Sequence, residues 1–329
     1  MRLLVGDIGG TSTRLALASI ATDGAITLSN ERRYLSAAAP NLDTLVRDWL
    51  SDTATTVCEA SLAVAGPVAG NRCQTTNLPW FLDGDALAAT TGLTAVHLLN
   101  DFAAAAWGTL TVTDHGRVSL QAGRFDATAP RVVIGAGTGL GQALIVTGRD
   151  GVQVLPGEGG HQGFAPRNER EDRLLAWMRR GLRGRVSTER VVSGLGLRDL
   201  YRFLRDEEGL TESTEVRARL ENEDHGAVIG ALAVAGSDPL CVATLEMFLS
   251  AYGAAAGDAA IEVLAYGGVY LAGGIAAKVL PTMARGGFLE GFRDKGRMRP
   301  IAEAVPVWVV TDEALGLRGA ARARSPAAG

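Results

Sequence analysis

Gly6-Asp7-Ile8-Gly9-Gly10-Thr11 lies between two apolar runs, Arg2 to Val5 and Arg14 to Ile20. The same arrangement returns at Gly135-Ala136-Gly137-Thr138-Gly139-Leu140-Gly141, between Arg131 to Ile134 and Gln142 to Val146. Two short apolar runs joined by a glycine-rich turn read as a hairpin. Setting Leu3-Leu4-Val5-Gly6 against Val132-Val133-Ile134-Gly135 superposes the two copies without a gap. The repeat implies two related α/β halves, each opening with a strand and a glycine turn; the alternative is chance likeness between two hairpins. One difference bears on chemistry. Asp7 in the first copy is matched by Ala136 in the second, and a tight turn has no need of a carboxylate in one copy only.

Outward from these turns, strands and helices alternate, which gives the α/β class. Leu62 to Pro67 reads as a buried strand ending in a turn, and Ala95 to Leu99 as a strand stopping at Asn100-Asp101. Phe102 to Thr109 reads as a helix with Asn100 or Asp101 at its N-cap. Apolar spacing predicts helices over Arg170 to Gly181 and over Glu189 to Leu204, the second capped by Thr188 or Ser187. Asp206 to Asp224 reads as a polar helical excursion, and Cys241 to Leu264 as one long helix whose Ala and Gly suit close packing. A strand over Val269 to Ala272 meets Gly273-Gly274 and a helix from Ile275. The strand Val305 to Val310 precedes a short helix from Asp312.

With 329 residues, 47% hydrophobic and 21% charged, the chain has room and composition for two packed domains. A net charge of −4 gives no basic footprint for nucleic acid or an anionic membrane. Lys278 and Lys295 are the only lysines. Cys58, Cys73 and Cys241 are too scattered for a zinc or redox pair, so a reduced, cytoplasmic protein is expected. Met1 to Val5 reaches Gly6-Asp7 too soon for a signal peptide. Asp258 and Glu262 make the Ala-rich run Ala251 to Ala265 a core helix rather than a bilayer span.

No GxxxxGK[ST] occurs, and Gly135 to Gly141 fails the GxGxxG spacing, so neither a P-loop nor a dinucleotide turn is expected. What remains is two glycine hairpins and a third Gly-Gly at Gly273-Gly274. Backbone N–H groups freed of side chains can close around phosphate oxygens. The hairpins are candidates for the β- and γ-phosphates, Gly273-Gly274 for the base and ribose, and Asp7 for Mg²⁺, directly or through water. Asn100-Asp101 ends a strand at the edge where α/β sheets usually place function, although an Asx cap is the bland alternative. Glu158 and His161, in Pro156-Gly157-Glu158-Gly159-Gly160-His161, fit polyol recognition on a glycine loop better than a helical metal site; a surface loop with incidental charges is the alternative.

These segments, with Ser187-Thr188-Glu189-Arg190 and Ala272-Gly273-Gly274-Ile275, resemble in order the signatures of bacterial glucokinases of the enterobacterial type. Asn77 with Trp80, Ser193-Gly194 and Asp294-Lys295-Gly296-Arg297 are smaller matches, and the likeness spans the chain. The resemblance implies a two-domain actin-like ATPase (ribonuclease H-like) α/β fold with an interdomain cleft. Residues 1–111 plus 304–329 would form the small domain and 112–303 the large one. It implies ATP and Mg²⁺, glucose as substrate, a possible homodimer, and Asp101 as general base for the 6-hydroxyl in the first step of glycolysis. Asn100, Glu158, His161, Glu189 and Asn77 would bind the sugar; Gly6, Asp7, Ile8, Gly9, Gly10, Thr11, Gly135, Gly137, Thr138, Gly139, Gly273 and Gly274 would bind nucleotide. Ser12 stands where the family usually has asparagine, and the zinc-binding cysteine cluster of the other glucokinase branch is missing. A broader hexose kinase and a non-catalytic sugar sensor are the competing readings.

Overall fold

The computed structural model describes residues 1–76 and 78–325. Its strands are β1 (Arg2–Ile8), β2 (Ser12–Ile20), β3 (Ile26–Leu35), β4 (Glu59–Val64), β5 (Val68–Ala69), β6 (Arg72–Gln74), β7 (Phe81–Asp83), β8 (Ala95–Asn100), β9 (Arg117–Gln121), β10 (Arg131–Ala136), β11 (Leu140–Gly148), β12 (Gly151–Gly157), β13 (Val269–Leu271) and β14 (Val307–Val310). Two compact units form: residues 1–116, 145–156 and 312–329, and residues 117–144 and 157–311.

One sheet runs β3-β2-β1-β4-β8 and the other β12-β11-β10-β13-β14-β9. The repeat seen in the sequence is therefore a repeat of topology. In each case the strand before the glycine turn sits between its hairpin partner and two further strands parallel to it: β4 and β8 beside β1, β13 and β14 beside β10. The apolar runs reach further than periodicity suggested, because β1 continues through Asp7 and Ile8 and β10 through Ala136.

In the first unit both faces of β1 are covered. Leu4 and Ile8 enter a core with Leu15, Trp49, Leu62 and Leu98, while Leu3 and Val5 meet Leu317, Ala320 and Ala321 of the terminal helix Leu315–Arg322. Two covered faces explain why this strand reads as a continuous apolar run. The terminal helix lies so near Asp101–Thr109 that a methyl on Gly319 would strike the Ala104 carbonyl.

In the second unit the long helix Pro239–Glu262 is the only one among the described residues long and apolar enough to cross a membrane, and 72% of its most apolar window is buried in the protein. Gly253 and Gly257 let it touch the helix Gly287–Arg293, where methyls would meet the Phe288 and Phe292 carbonyls. The Tyr252 hydroxyl donates to the Ile134 carbonyl (3.2 Å) and accepts from the Ala136 N–H (3.4 Å), tying the helix to β10. Burial pushes that phenol far above its ordinary pKa, so it stays a neutral donor.

Two helical expectations need correction. Glu189 to Leu204 is not one helix: Thr188–Arg190 is a single 3₁₀ turn, and the helix runs Gly194–Asp206 with Ser193 as its cap, accepting from the Gly196 N–H (3.0 Å). The apolar spacing carried across a break at Val191–Ser193, all buried, where the chain changes direction. Asp206 to Asp224 is mainly loop, with a helix only over Thr214–Leu220.

Candidate functional site

Strand register places the first unit's candidate residues in one row. Ile8 pairs with Val64, and Val64 with Asn100. These three strands are parallel, so the Gly9-Gly10-Thr11 turn, the Ala65-Gly66 turn and Asp101 all leave the sheet at its carboxyl edge. At about 4.8 Å per strand, Ile8 and Asn100 stand roughly 10 Å apart.

At that edge Asn100, not Asp101, caps the helix Asp101–Thr109. Its Oδ1 accepts from the N–H groups of Phe102 (3.0 Å) and Ala103 (3.1 Å). Its Nδ2 donates to the Gly66 carbonyl (3.1 Å) and to Asp101 Oδ1 (3.0 Å), which also accepts from the Phe102 N–H (2.9 Å). The Asx-cap alternative thus falls to the neighbour, and Asp101 is held as the first residue of the helix. Cys73 lies close enough that burial, and then the Asp101 charge, raise its thiol pKa.

Asp7 is one position behind Ile8, in the row Asp7–Ala63–Leu99. It keeps some exposure, yet desolvation raises its carboxyl pKa, with Arg14 and then Arg33 pulling it down. Arg14 is engaged elsewhere, with Glu31 (2.7 Å) and the Glu313 carbonyl. A methyl on Gly316 would come within 3.1 Å of Asp7 Oδ2, so the terminal helix passes beside the carboxyl. Gly6 and Ile8 are buried; a methyl on Gly6 would meet Leu62 and Leu15, so this glycine serves packing within the sheet.

The second unit gathers the rest. Ile134, Leu271 and Val309 form one row of parallel strands, so the Gly137-Thr138-Gly139 turn and Gly273-Gly274 share a carboxyl edge. Gly273 has φ +84°, and a methyl there would stand 2.8 Å from the Ala136 carbonyl oxygen, so only glycine fits beside the turn. The turn is pinned from the segment after β12: Gly194 N–H donates to the Gly137 carbonyl (2.9 Å), and Glu189 Oε2 accepts from the Leu140 N–H (3.0 Å).

The sugar-loop candidates follow β12. Gly159–His161 form one 3₁₀ turn that holds the exposed Glu158 and His161 side chains together, Oε2 to Nε2 3.8 Å. That is ion-pair range, too long for a hydrogen bond. The loop lies directly on β11: methyls on Gly159 and Gly160 would overlap the Gln142 side chain and the Leu140 carbonyl. Thr188 N–H donates to the Gln162 carbonyl (2.8 Å), so the Thr188–Arg190 turn touches both the sugar loop and the glycine turn. Arg185, which sequence reasoning passed over among many surface arginines, donates to the His161 carbonyl. Asn77 lies outside the described residues.

Among the described residues no cluster of three potential metal ligands exists. A phosphate-bound Mg²⁺ needs only one or two carboxylates, since phosphates and water supply the other oxygens. Asp7, with an under-compensated carboxyl near a glycine turn, fits that requirement.

Similarity to known proteins identifies the family. A glucokinase family model matches residues 4–326. A glucokinase of Trichormus variabilis is 42% identical, with 97% of each chain covered. The crystal structure of a glucokinase from an Antarctic psychrotroph superposes with a TM-score of 0.83 at 32% identity, covering 98% of each chain. A ROK family glucokinase from Streptomyces griseus, in complex with glucose and AMPPNP, shares the fold with a TM-score of 0.65 at 20% identity, again over 98% of each. The family match and the superposition make this an ATP-dependent sugar kinase of the two-domain actin-like ATPase fold, in which five strands of each sheet follow one order with a glycine turn at the carboxyl edge. The chain belongs to the glucokinase family, and the activity of that family is the phosphorylation of glucose by ATP.

Proposed function

We propose that Asp101 is the general base of a glucose 6-phosphotransferase and that the glycine turns cradle the nucleotide phosphates. The observation that supports this most is the shared row of Ile8, Val64 and Asn100, which brings Asp101 and the first glycine turn to one sheet edge. In the reaction the 6-hydroxyl oxygen attacks the γ-phosphorus in line, the bond from phosphorus to the departing ADP oxygen breaks, and the hydroxyl proton passes to the Asp101 carboxylate. Phosphoryl transfer is mainly positioning and charge stabilisation. Mg²⁺, when bound, neutralises charge on the β- and γ-phosphates, and Asp7 is the residue that would hold it.

Glu158, His161 and Glu189 hydrogen-bond the remaining hydroxyls, with Asn77 a further candidate, and Asn100 joins them by exchanging its Nδ2 bond to the Gly66 carbonyl for one to the sugar. Gly273-Gly274 takes adenosine, and the functional division proposed is 1–111 plus 304–329 against 112–303, although β14 itself pairs within the second sheet. A cytoplasmic location accords with three unpaired cysteines, and a homodimer is the assembly proposed. Broader hexose use is the second reading, favoured by the open, exposed Glu158 and His161 side chains.

The test is a coupled ADP-release assay over glucose, mannose, fructose and N-acetylglucosamine. Glucose is expected to give the highest kcat/KM, because a sugar that leaves one buried polar group unpaired loses about 1–3 kcal/mol. Equal kcat/KM across the panel would replace glucose specificity by the broader reading, and ADP release independent of sugar would remove both.

A further inference from the structure

We propose that Ser36, far from the first glycine turn in sequence, is a positioning residue that holds the turn in an anion-receptive shape. The inference rests on the reading of that turn as a phosphate cradle.

Ser36 and Thr13 are both fully buried, where a polar pair needs a reason to replace apolar packing. The Ser36 hydroxyl donates to the Gly9 carbonyl (2.7 Å) and lies 3.0 Å from the Thr13 hydroxyl. A serine hydroxyl has one proton. With that proton committed to Gly9, Thr13 must donate to Ser36, and the chain runs Thr13 to Ser36 to Gly9. The Ser36 N–H donates in turn to the Thr11 carbonyl (3.1 Å), and the Gly9 N–H to the Ser12 carbonyl (3.0 Å).

The consequence is a sorted loop. Three of the four carbonyls from Gly9 to Ser12, those of Gly9, Thr11 and Ser12, face protein donors, while among the described residues no acceptor engages the N–H of Gly10 or Thr11. Carbonyl oxygens repel a phosphate and N–H groups bind it, so drawing the carbonyls aside is what makes such a turn a nest for an anion. Without the Ser36 hydroxyl the Gly9 carbonyl is released to rotate toward the phosphate side.

The experiment compares Ser36→Ala, Thr13→Val, Thr13→Ser and Gly9→Val in the full chain, reading KM for ATP, KM for glucose and the thermal midpoint. Ser36→Ala is expected to raise the ATP KM about tenfold, the effect of losing one oriented hydrogen bond, with the glucose KM within about twofold. Thr13→Val should give a smaller rise in the same constant and Thr13→Ser none. That pair tests the relay even if Ser36→Ala does not fold. Gly9→Val tests the cradle itself by placing a side chain in the turn. If Gly9→Val raises the ATP KM and neither Ser36→Ala nor Thr13→Val does, the positioning role is overturned and the cradle stands. If Gly9→Val leaves it unchanged, the cradle fails and this proposal with it. A drop in thermal midpoint alone would make Ser36 a core residue only.

Discussion

Replacing Asp101 by asparagine isolates proton acceptance from geometry. Oδ1 of Asp101 accepts from Asn100 Nδ2 (3.0 Å) and from the Phe102 N–H (2.9 Å). An asparagine can offer its own Oδ1 to both donors, so the side chain stays in place and an uncharged amide nitrogen takes the position of Oδ2. The capping bonds of Asn100 are untouched, so folding should survive; an exchange of this kind is expected to move stability by about 1 kcal/mol or less. What disappears is the basic oxygen. General-base assistance contributes about 10²–10⁴-fold, so kcat should fall by that factor, equivalent to about 2.7–5.4 kcal/mol in the barrier. The glucose dissociation constant, measured by calorimetry without nucleotide, should stay within about threefold, since the amide nitrogen at the Oδ2 position can still hydrogen-bond the 6-hydroxyl, now as donor to its oxygen. The decisive measurement is single-turnover ADP formation at saturating ATP and glucose. A rate within about fivefold of wild type would refute the base assignment, because no such residual is compatible with losing the proton acceptor.

Three further outcomes follow from the same geometry. Glu158→Gln should raise the glucose KM more than the ATP KM in steady-state assays; an equal rise in both would separate this loop from the sugar. Gly160→Ala would drive a methyl into the Leu140 carbonyl, so the sugar loop must lift from β11. Since a misplacement near 1 Å can cost about 10²-fold, kcat/KM for glucose should fall by up to that factor while nucleotide affinity is retained. Glu212 concerns stability and pH. Burial raises its carboxyl pKa, but hydrogen bonds from Arg217, Arg205 and Tyr201 outweigh this and hold it below the usual range. A depressed folded pKa stabilises above the unfolded value, about 4.3, and the contribution is lost as pH falls through the folded one. Glu212→Gln should therefore lower the thermal midpoint at pH 7 and flatten its decline as pH falls below the unfolded value.

What the sequence disclosed depended on how local the signal was. The glycine turns, the strand into Asn100 and the long helix from Pro239 are contiguous patterns, and each appeared within a few residues of its expected place. The break at Val191–Ser193 did not show, because buried valines continue a helical apolar spacing whether or not the backbone turns. Asn100 and Asp101 could not be told apart as caps from sequence; their division of labour emerges only from which side-chain oxygen meets the Phe102 and Ala103 N–H groups. Ser36 and Arg185 were invisible for a different reason. Each acts on a loop more than twenty residues away in the chain, by a hydrogen bond to backbone that carries no motif.

The clearest link between sequence and mechanism is the inequality of the two turns. The sheets share a strand order, and β1 and β10 occupy the same place in it, so packing alone would accept the same residue in both copies. At the matched position β10 carries Ala136, fully buried, which suits a strand covered on both faces. In β1 it is Asp7, whose carboxyl is partly stripped of water, a loss that the charges of Arg14, itself held by Glu31, and Arg33 offset only in part. Removing solvent from a carboxylate costs stability unless a counter-charge offsets it. A residue that costs stability in the unliganded fold, and is spared from the otherwise equivalent copy, is best explained by a partner that arrives with the substrate. Asp7→Ala should then stabilise the free protein while weakening the dependence of activity on Mg²⁺ concentration. A destabilised Asp7→Ala variant with unchanged Mg²⁺ response would instead make the carboxylate a structural partner of Arg14 and Arg33.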